Sequence, residues 1–467
     1  MESAGDRRAP LLLVPGVCGT QLAVRPEGEA GDGVRCWVSL RGGADAAYQK
    51  LWGKYSKDSG LVELLTPGFE VCVPRGTDSS GLFAISVLDP DVGLVTKAVN
   101  YFLPLINFLQ AQGYSPGIDL FGAGYDYRQS CRTSAHTLLG RLQEVSRRCG
   151  GRRVDLVTHS MGGLVVRSLL VDFPAEFEAL VGRWVAIGCP FGGAPGYAVD
   201  GLITGVQFGG SLGDFFFAAC QSPAVYELLP PLDFPFSQPP PQLTLWLKTP
   251  IPEQLPAGEG QPPVLCASHT TYTMHSPAVG AASGAPSTSA GTHPAAPQLP
   301  RISLAVSQLT GSGAEDGGTI GPSTDSIFQA HQYVFKHDAL PGLLARLLKD
   351  NTVSVDGASI PLPFDPQLWA LGQATHDSWK EARLPPSCTF FNIIGTGLST
   401  PYDVQYGAWW YALQDLDAVP HASATFTSVD GDGTVPAESA TAHGLQETAT
   451  AAVKGAHRDL VNMQAPL

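Results

Sequence analysis

Ser160 is the residue in this sequence best placed to act as a nucleophile. It sits in VDLVTHSMGG (154–163), where Val154, Leu156 and Val157 read as a buried parallel strand. Leu164, Val165, Val166, Leu169 and Leu170 follow at helical spacing. A strand turning sharply into a helix lifts a serine oxygen clear of its own backbone, the geometry that acyl transfer requires. The usual Gly-x-Ser-x-Gly pattern is altered by Thr158, whose methyl group crowds the next strand. Small neighbours, or a slightly displaced turn, are therefore expected.

A nucleophilic serine needs a base, and the base needs an orienting acid. ATFTSVDGDGTVPAESA (424–440) reads as a strand ending in a Gly-rich turn with Asp430 and Asp432 at its tip. Either can accept an imidazole N–H there. TATAAVKGAHRDL (448–460) reads as one more strand followed by His457 on a loop, while His443 precedes that strand and competes as base. For the developing oxyanion, backbone amides are expected from Met161, after the nucleophile, and from Cys18 in PGVCG (15–19), after an early apolar strand. The Asp-Gly-Asp-Gly turn is no EF-hand: a calcium loop from Asp430 needs Glu at its twelfth position, which is Thr441. No metal site and no cofactor are expected.

Taken together, LLLVPGVCGTQL (11–22), LFAISVLDP (82–90), LFGAGYDYRQS (120–130), THSMGGLVV (158–166), CPFGGAPG (189–196), GLITGVQF (201–208), FFNIIGTGLSTPYDV (390–404), VDGDGTVPAESA (429–440) and GAHRDL (455–460) resemble the lecithin–cholesterol acyltransferase-like family of α/β-hydrolases. The resemblance is greatest to its soluble, phospholipase-A-like branch of plants and algae. It implies an α/β-hydrolase fold, a mostly parallel sheet flanked by helices, with cap and lid insertions. It implies Ser160 as acyl carrier, Asp432 as acid, His457 as base and Cys18 and Met161 as oxyanion donors. The implied substrate is a glycerophospholipid or other acyl lipid met at a peripheral membrane surface, with water or a lipid alcohol as acceptor. A neutral-lipid lipase or carboxylesterase, or a non-catalytic lipid-binding protein of this fold, is the alternative. Secreted relatives carry a disulfide near Cys36 and Cys72; for an intracellular chain, free thiols are expected.

The elements that must position these residues follow from composition. With 467 residues, 44% hydrophobic and 15% charged, the chain is long enough for one large α/β domain with insertions. Its net charge of −14 argues against nucleic acid. A first core part (9–230) is expected, with a small Trp- and Tyr-rich insertion at 36–80 and a lid at 196–229. Phe215, Phe216 and Phe217 in that lid are candidate lipid contacts. Residues 231–300 are expected to be a Pro/Ala/Ser-rich insertion, disordered over roughly 252–300, since 16 of the 39 prolines fall at 230–300. Residues 301–420 should supply a cap and the return to the core, with helix patterns at IFQAHQYV, LPGLLARLLKD and DPQLWALGQATHDSWKEA. Residues 421–467 should carry the last core strands, with acid and base. Trp409-Trp410-Tyr411 suits a core position or an acyl channel. The apolar run after Arg7-Arg8 breaks at Pro15 and is too short for a signal peptide, and no run reaches the roughly 18 apolar residues of a spanning helix. A soluble or peripherally attached intracellular protein, in the cytosol or at the endoplasmic reticulum surface, is expected.

Overall fold

In the computed structural model, the described residues are 8–37, 50–76, 79–90, 99–205, 219–233, 237–251, 254–255, 264–265, 268–275, 327–355 and 357–462. Six strands form the central sheet: β1 (Leu11–Val14), β2 (Leu120–Gly122), β3 (Val154–His159), β4 (Val181–Ile187), β5 (Thr389–Thr396) and β6 (Ala449–Lys454). Their order is β6-β5-β4-β3-β1-β2, and every neighbouring pair is parallel. A parallel sheet covered on both faces needs continuous apolar strands. Much of each inner strand complies, with Leu12, Leu13, Val14, Val154, Leu156, Trp184 and Ala186 fully buried, while Asp155 and Arg183 interrupt the run.

Helix α1 (Cys131–Arg148) returns the chain from β2 to β3, and α2 (Gly162–Asp172) from β3 towards β4. Ser130 caps α1 by accepting the Arg132 N–H, and Leu138, Leu142 and Val145 recur on its buried face. This parallel sheet with flanking helices is the α/β-hydrolase architecture expected from the sequence.

A second sheet of five strands stands beyond the first, in the order Ser268–His275, Ile327–Lys336, Gln242–Leu247, Leu398–Tyr406 and Ala424–Gly431. It has its own core, built on Leu243, Leu245, Tyr333, Phe335, Tyr406 and the helices Leu340–Leu347 and Pro366–Trp379. Chain passes from β5 into this sheet through the single residue Gly397, at φ 78°. The Asp430 carboxylate accepts the Gly397 N–H at 2.6 Å, locking that junction.

Several sequence expectations are corrected here. IFQAHQYV belongs to a strand, because its β-branched and aromatic residues pair with Gln242–Leu247 and Ser268–His275. Ser268–His275 lies inside the stretch expected to be disordered; its Thr- and Tyr-rich run pairs antiparallel along its whole length. Ala424–Gly431 was expected in the core and is instead the edge of the second sheet. Trp409, Trp410 and Tyr411 are not in the core: they stand 49%, 66% and 68% exposed on a turn closed by reciprocal Ala408–Tyr411 bonds.

The 36–80 region contains strands Val34–Trp37 and Phe69–Cys72 on either side of Leu22–Pro26, and a hairpin of Gly53–Ser56 with Leu61–Leu64. Cys36 and Cys72 are free. Leu22–Pro26 lies between their strands, putting them two strand spacings apart, roughly 10 Å, beyond the reach of a disulfide.

Candidate active site

Ser160 caps β3 at the entrance to α2 with φ 55°. Its N–H donates to Ile187 O at 2.9 Å and its carbonyl accepts the Gly163 N–H at 3.0 Å, so the turn is held from both sides. Among the described residues only Ser160 and Cys18 (φ 59°) are non-glycine residues at positive φ. Such conformations cost about 1–3 kcal/mol each and gather where function fixes the backbone. Here both flank one point. A Cβ on Gly16 would lie 2.6 Å from Ser160 Cβ and 3.1 Å from its Oγ, so the 15–19 loop rests directly on Ser160.

Thr158 is accommodated as its size demands. It faces Ala186 across the β3–β4 pair, and its Oγ1 accepts the Trp184 Nε1–H at 3.0 Å. The small neighbour and the buried indole donor turn the departure from glycine into a packing contact.

The Asp432 carboxylate and the His457 ring form the second half of the site, with Oδ2 and Nδ1 2.7 Å apart. Oδ1 accepts the Thr434 and Val435 N–H groups at 3.0 and 2.7 Å, and the Asp432 carbonyl accepts the His457 N–H at 2.8 Å. A carboxylate so fixed keeps the His457 proton on Nδ1, leaving Nε2 as acceptor. This pair is brought to Ser160 through β4: Gly188, next to the Ile187 carbonyl that binds Ser160, lies against both His457 Nδ1 and Asp432 Oδ2. The competing candidates are occupied elsewhere. Asp430 holds Gly397, and His443 accepts the Leu445 N–H through Nδ1, with Nε2 3.3 Å from Glu447.

Cys18 and Met161 present main-chain amides that donate to no acceptor among the described residues. The Cys18 thiol is buried and pushed up to about 12 by desolvation, so it stays neutral. Three aromatic side chains pin the Cys18 loop. Tyr125 Oη donates to Pro15 O and Trp37 Nε1 to Cys18 O, both at 2.9 Å, while the Gly16 N–H donates to Tyr101 Oη at 3.0 Å. Phe215, Phe216 and Phe217 lie outside the described residues. Also among the described residues, no group of three His, Cys, Asp or Glu is placed to hold a metal ion, and no helix is long and apolar enough to cross a membrane.

The sequence profile described as Lecithin:cholesterol acyltransferase matches residues 55–235. Phospholipase A(1) LCAT3 of Arabidopsis thaliana is 31% identical over 98% of this chain and 89% of its own length. The chain belongs to the lecithin:cholesterol acyltransferase family. Another member, lecithin-cholesterol acyltransferase-like 4 of Arabidopsis thaliana, is 30% identical over 97% of this chain and 73% of its own. The human lysosomal phospholipase A and acyltransferase is 27% identical over 40% of this chain and 48% of its own. Among solved structures, the Tle4-Tli4 complex covers 97% of this chain and 95% of that chain at 14% identity and a TM-score of 0.45.

Membership in this family agrees with the expectation drawn from the motifs. Two buried residues at the site were not singled out by those motifs, His159 and Tyr101. His159 shares the Thr-His-Ser run with Ser160, which is a usable signal. Nothing local in the sequence marks Tyr101.

Proposed function

We propose that this chain is a serine-dependent phospholipid acyl hydrolase of the phospholipase A type, working through an acyl ester on Ser160. His457 Nε2 takes the Ser160 proton as Oγ attacks the ester carbonyl, forming the tetrahedral oxyanion. The Cys18 and Met161 amides face that oxyanion; losing one such donor costs about 3 kcal/mol of barrier. Collapse breaks the ester C–O bond, and His457 returns its proton to the departing lysophospholipid oxygen. A water then gives a proton to His457 and attacks the acyl-enzyme. The fatty acid leaves as Ser160 regains its proton. Asp432 stays ionised throughout, holding the ring and balancing its transient charge.

The observation that carries this reading is the Asp432–His457 pair at 2.7 Å, gathered through Gly188 onto a serine held at φ 55°. The name of one plant relative, a phospholipase A(1), supports phospholipid as substrate and water as acceptor, while that of the other, acyltransferase-like, leaves the acceptor open. The name of the mammalian lysosomal relatives favours a second acceptor, a lipid alcohol, using the same residues. A membrane surface as meeting place is supported by the exposed Trp409, Trp410 and Tyr411, whose amphipathic rings suit a lipid–water boundary.

Product analysis decides among these. Purified protein is incubated with phosphatidylcholine vesicles, with and without a sterol, beside a Ser160→Ala control. Free fatty acid and lysophospholipid in both mixtures, absent from the control, are expected. A sterol ester formed at the expense of fatty acid would make the chain a transferase. Equal activity in the control would overturn the reading.

A further inference from the structure

We propose that Tyr101 and His159 are positioning residues, forming a buried, uncharged relay that sets the oxyanion loop and the His457 loop in one register. The inference rests on the assignment of Ser160, Asp432 and His457 proposed above. It concerns two residues that take no part in the proton transfers.

The connections run in one direction. The Gly16 N–H donates to Tyr101 Oη at 3.0 Å. Tyr101 Oη lies 2.5 Å from His159 Nδ1, and His159 Nε2 lies 3.0 Å from His457 O. A carbonyl can only accept, so the His159 proton is on Nε2. Nδ1 is then an acceptor and takes the Tyr101 hydroxyl hydrogen, leaving the phenol oxygen to accept from Gly16. Every donor meets an acceptor, and one arrangement of hydrogens satisfies the set.

The linked pieces sit on opposite sides of β3. The oxyanion loop follows β1, and the His457 loop follows β6 at the far edge of the sheet. Tyr101 grips the first loop at a second place, because Gly19 leaves room for its ring: a Cβ there would lie 2.5 Å from Tyr101 Cε1. Its neighbour Asn100 holds the other loop, accepting from Arg458 Nη2 at 3.1 Å, with the Arg458 guanidinium 5.9 Å from the Tyr101 ring centre. The segment carrying Tyr101 therefore touches both halves of the site.

The relay works only while His159 is uncharged, since a proton on Nδ1 would displace the Tyr101 hydrogen. Burial foremost, and then the charge of His457, hold the His159 pKa well below the ordinary histidine value. The His159 and His457 ring centres are 4.6 Å apart, so two charges there would repel as His457 takes up the serine proton.

Tyr101→Phe keeps the ring and deletes only the oxygen. On a soluble ester, kcat should fall roughly 10- to 100-fold with KM changed by less than about threefold, as expected when alignment and not binding is lost. In protein labelled with ¹⁵N-histidine, the His159 Nδ1 resonance should move while the melting curve stays near that of the wild type. At the second station, His159→Gln, which retains a donor for His457 O, should keep at least about tenfold more activity than His159→Leu. This comparison decides the matter if Tyr101→Phe fails to fold. A Tyr101→Phe enzyme within about twofold of wild-type kcat, or equal activity of the Gln and Leu variants, would overturn the relay. Covalent labelling by a fluorophosphonate separates the two levels. If wild-type Ser160 is unlabelled and Ser160→Ala stays active, the assignment of the site falls and the relay with it. If Ser160 is labelled and only the variants behave as wild type, the relay alone falls.

Discussion

Gly16 is the position where the smallest change should cost the most activity. An alanine Cβ there would stand 2.6 Å from Ser160 Cβ, 3.1 Å from Ser160 Oγ and 3.2 Å from His159 O. Carbon atoms normally approach to about 3.5–4.0 Å, so roughly 1 Å must be found by moving one partner. Neither yields easily. Ser160 is tied to Ile187 and Gly163, and the opposing loop to Tyr101, Tyr125 and Trp37. On the proposed roles of Ser160 and the Cys18 amide, a displacement of about 1 Å between nucleophile and oxyanion donor costs on the order of 100-fold in rate. That corresponds to about 2.7 kcal/mol of barrier. Overpacking one methyl group costs about 1–3 kcal/mol of stability, which a domain of this size survives. The assay is kcat on a soluble ester together with the rate of fluorophosphonate labelling, checked against a melting curve. Gly16→Ala should be folded, slow in turnover and slow to label. A folded variant with kcat within about threefold of wild type would refute the proposed role of this loop beside Ser160.

Three further predictions follow from the same geometry. Asp432→Asn should lower kcat by roughly 10⁴-fold, as an amide imposes the wrong histidine tautomer, while Asp430→Asn keeps an acceptor for Gly397 and should lose less than about tenfold; paired kcat measurements check this. Burial lowers His337 to about 4 and His376 to about 3, from 6.5. Because both fold as the neutral form, their stability contribution is complete above pH 6.5 and lost as pH falls towards the lowered values. Between pH 8 and 5 each should remove about 2 kcal/mol, and denaturant titrations of His337→Gln and His376→Gln should show a correspondingly shallower acid loss. Replacing Trp409, Trp410 and Tyr411 together by Ser should reduce activity on phosphatidylcholine vesicles by roughly tenfold or more while changing soluble-ester turnover less than about twofold; equal losses on both substrates would rule out a membrane role for this turn.

The central sheet was legible in the sequence where its strands are short apolar segments: LLLV at 11–14 is unbroken, and Val154, Leu156 and Val157 mark the start of β3 around Asp155. The candidate site was legible for a different reason. Ser160, Asp432 and His457 each sit where a strand ends in glycine-rich chain, and the order of these endings matches one kind of catalytic assembly. The second sheet was obscure. Its strand Ile327–Lys336 carries apolar residues on a pattern that also suits a helix, and only pairing to distant Gln242–Leu247 and Ser268–His275 decides between them. Ser268–His275 was hidden by proline-rich neighbours that set the average composition of its window. Tyr101 could not be found at all, since its partners Gly16 and His159 are remote in sequence and its own surroundings carry no pattern.

The passage through Gly397 places the proposed acid, Asp432, and the proposed base, His457, on different sheets. Asp432 follows an edge strand of the second sheet, whereas His457 follows β6 of the first. The second sheet is therefore no detachable accessory. A deletion that removed it, as one might trim a cap to minimise a hydrolase for engineering, would remove the carboxylate with it. Leu398–Tyr406 and Ala424–Gly431 form the hairpin that the proposed chemistry requires, one strand leaving the junction and the other returning towards Asp432. Tolerance to insertion and loss should grow with distance from that hairpin, through Gln242–Leu247 to Ser268–His275 at the opposite edge. On the proposed chemistry, variation in this fold has room to act on the outer strands, while the two nearest the core are held by the position of Asp432.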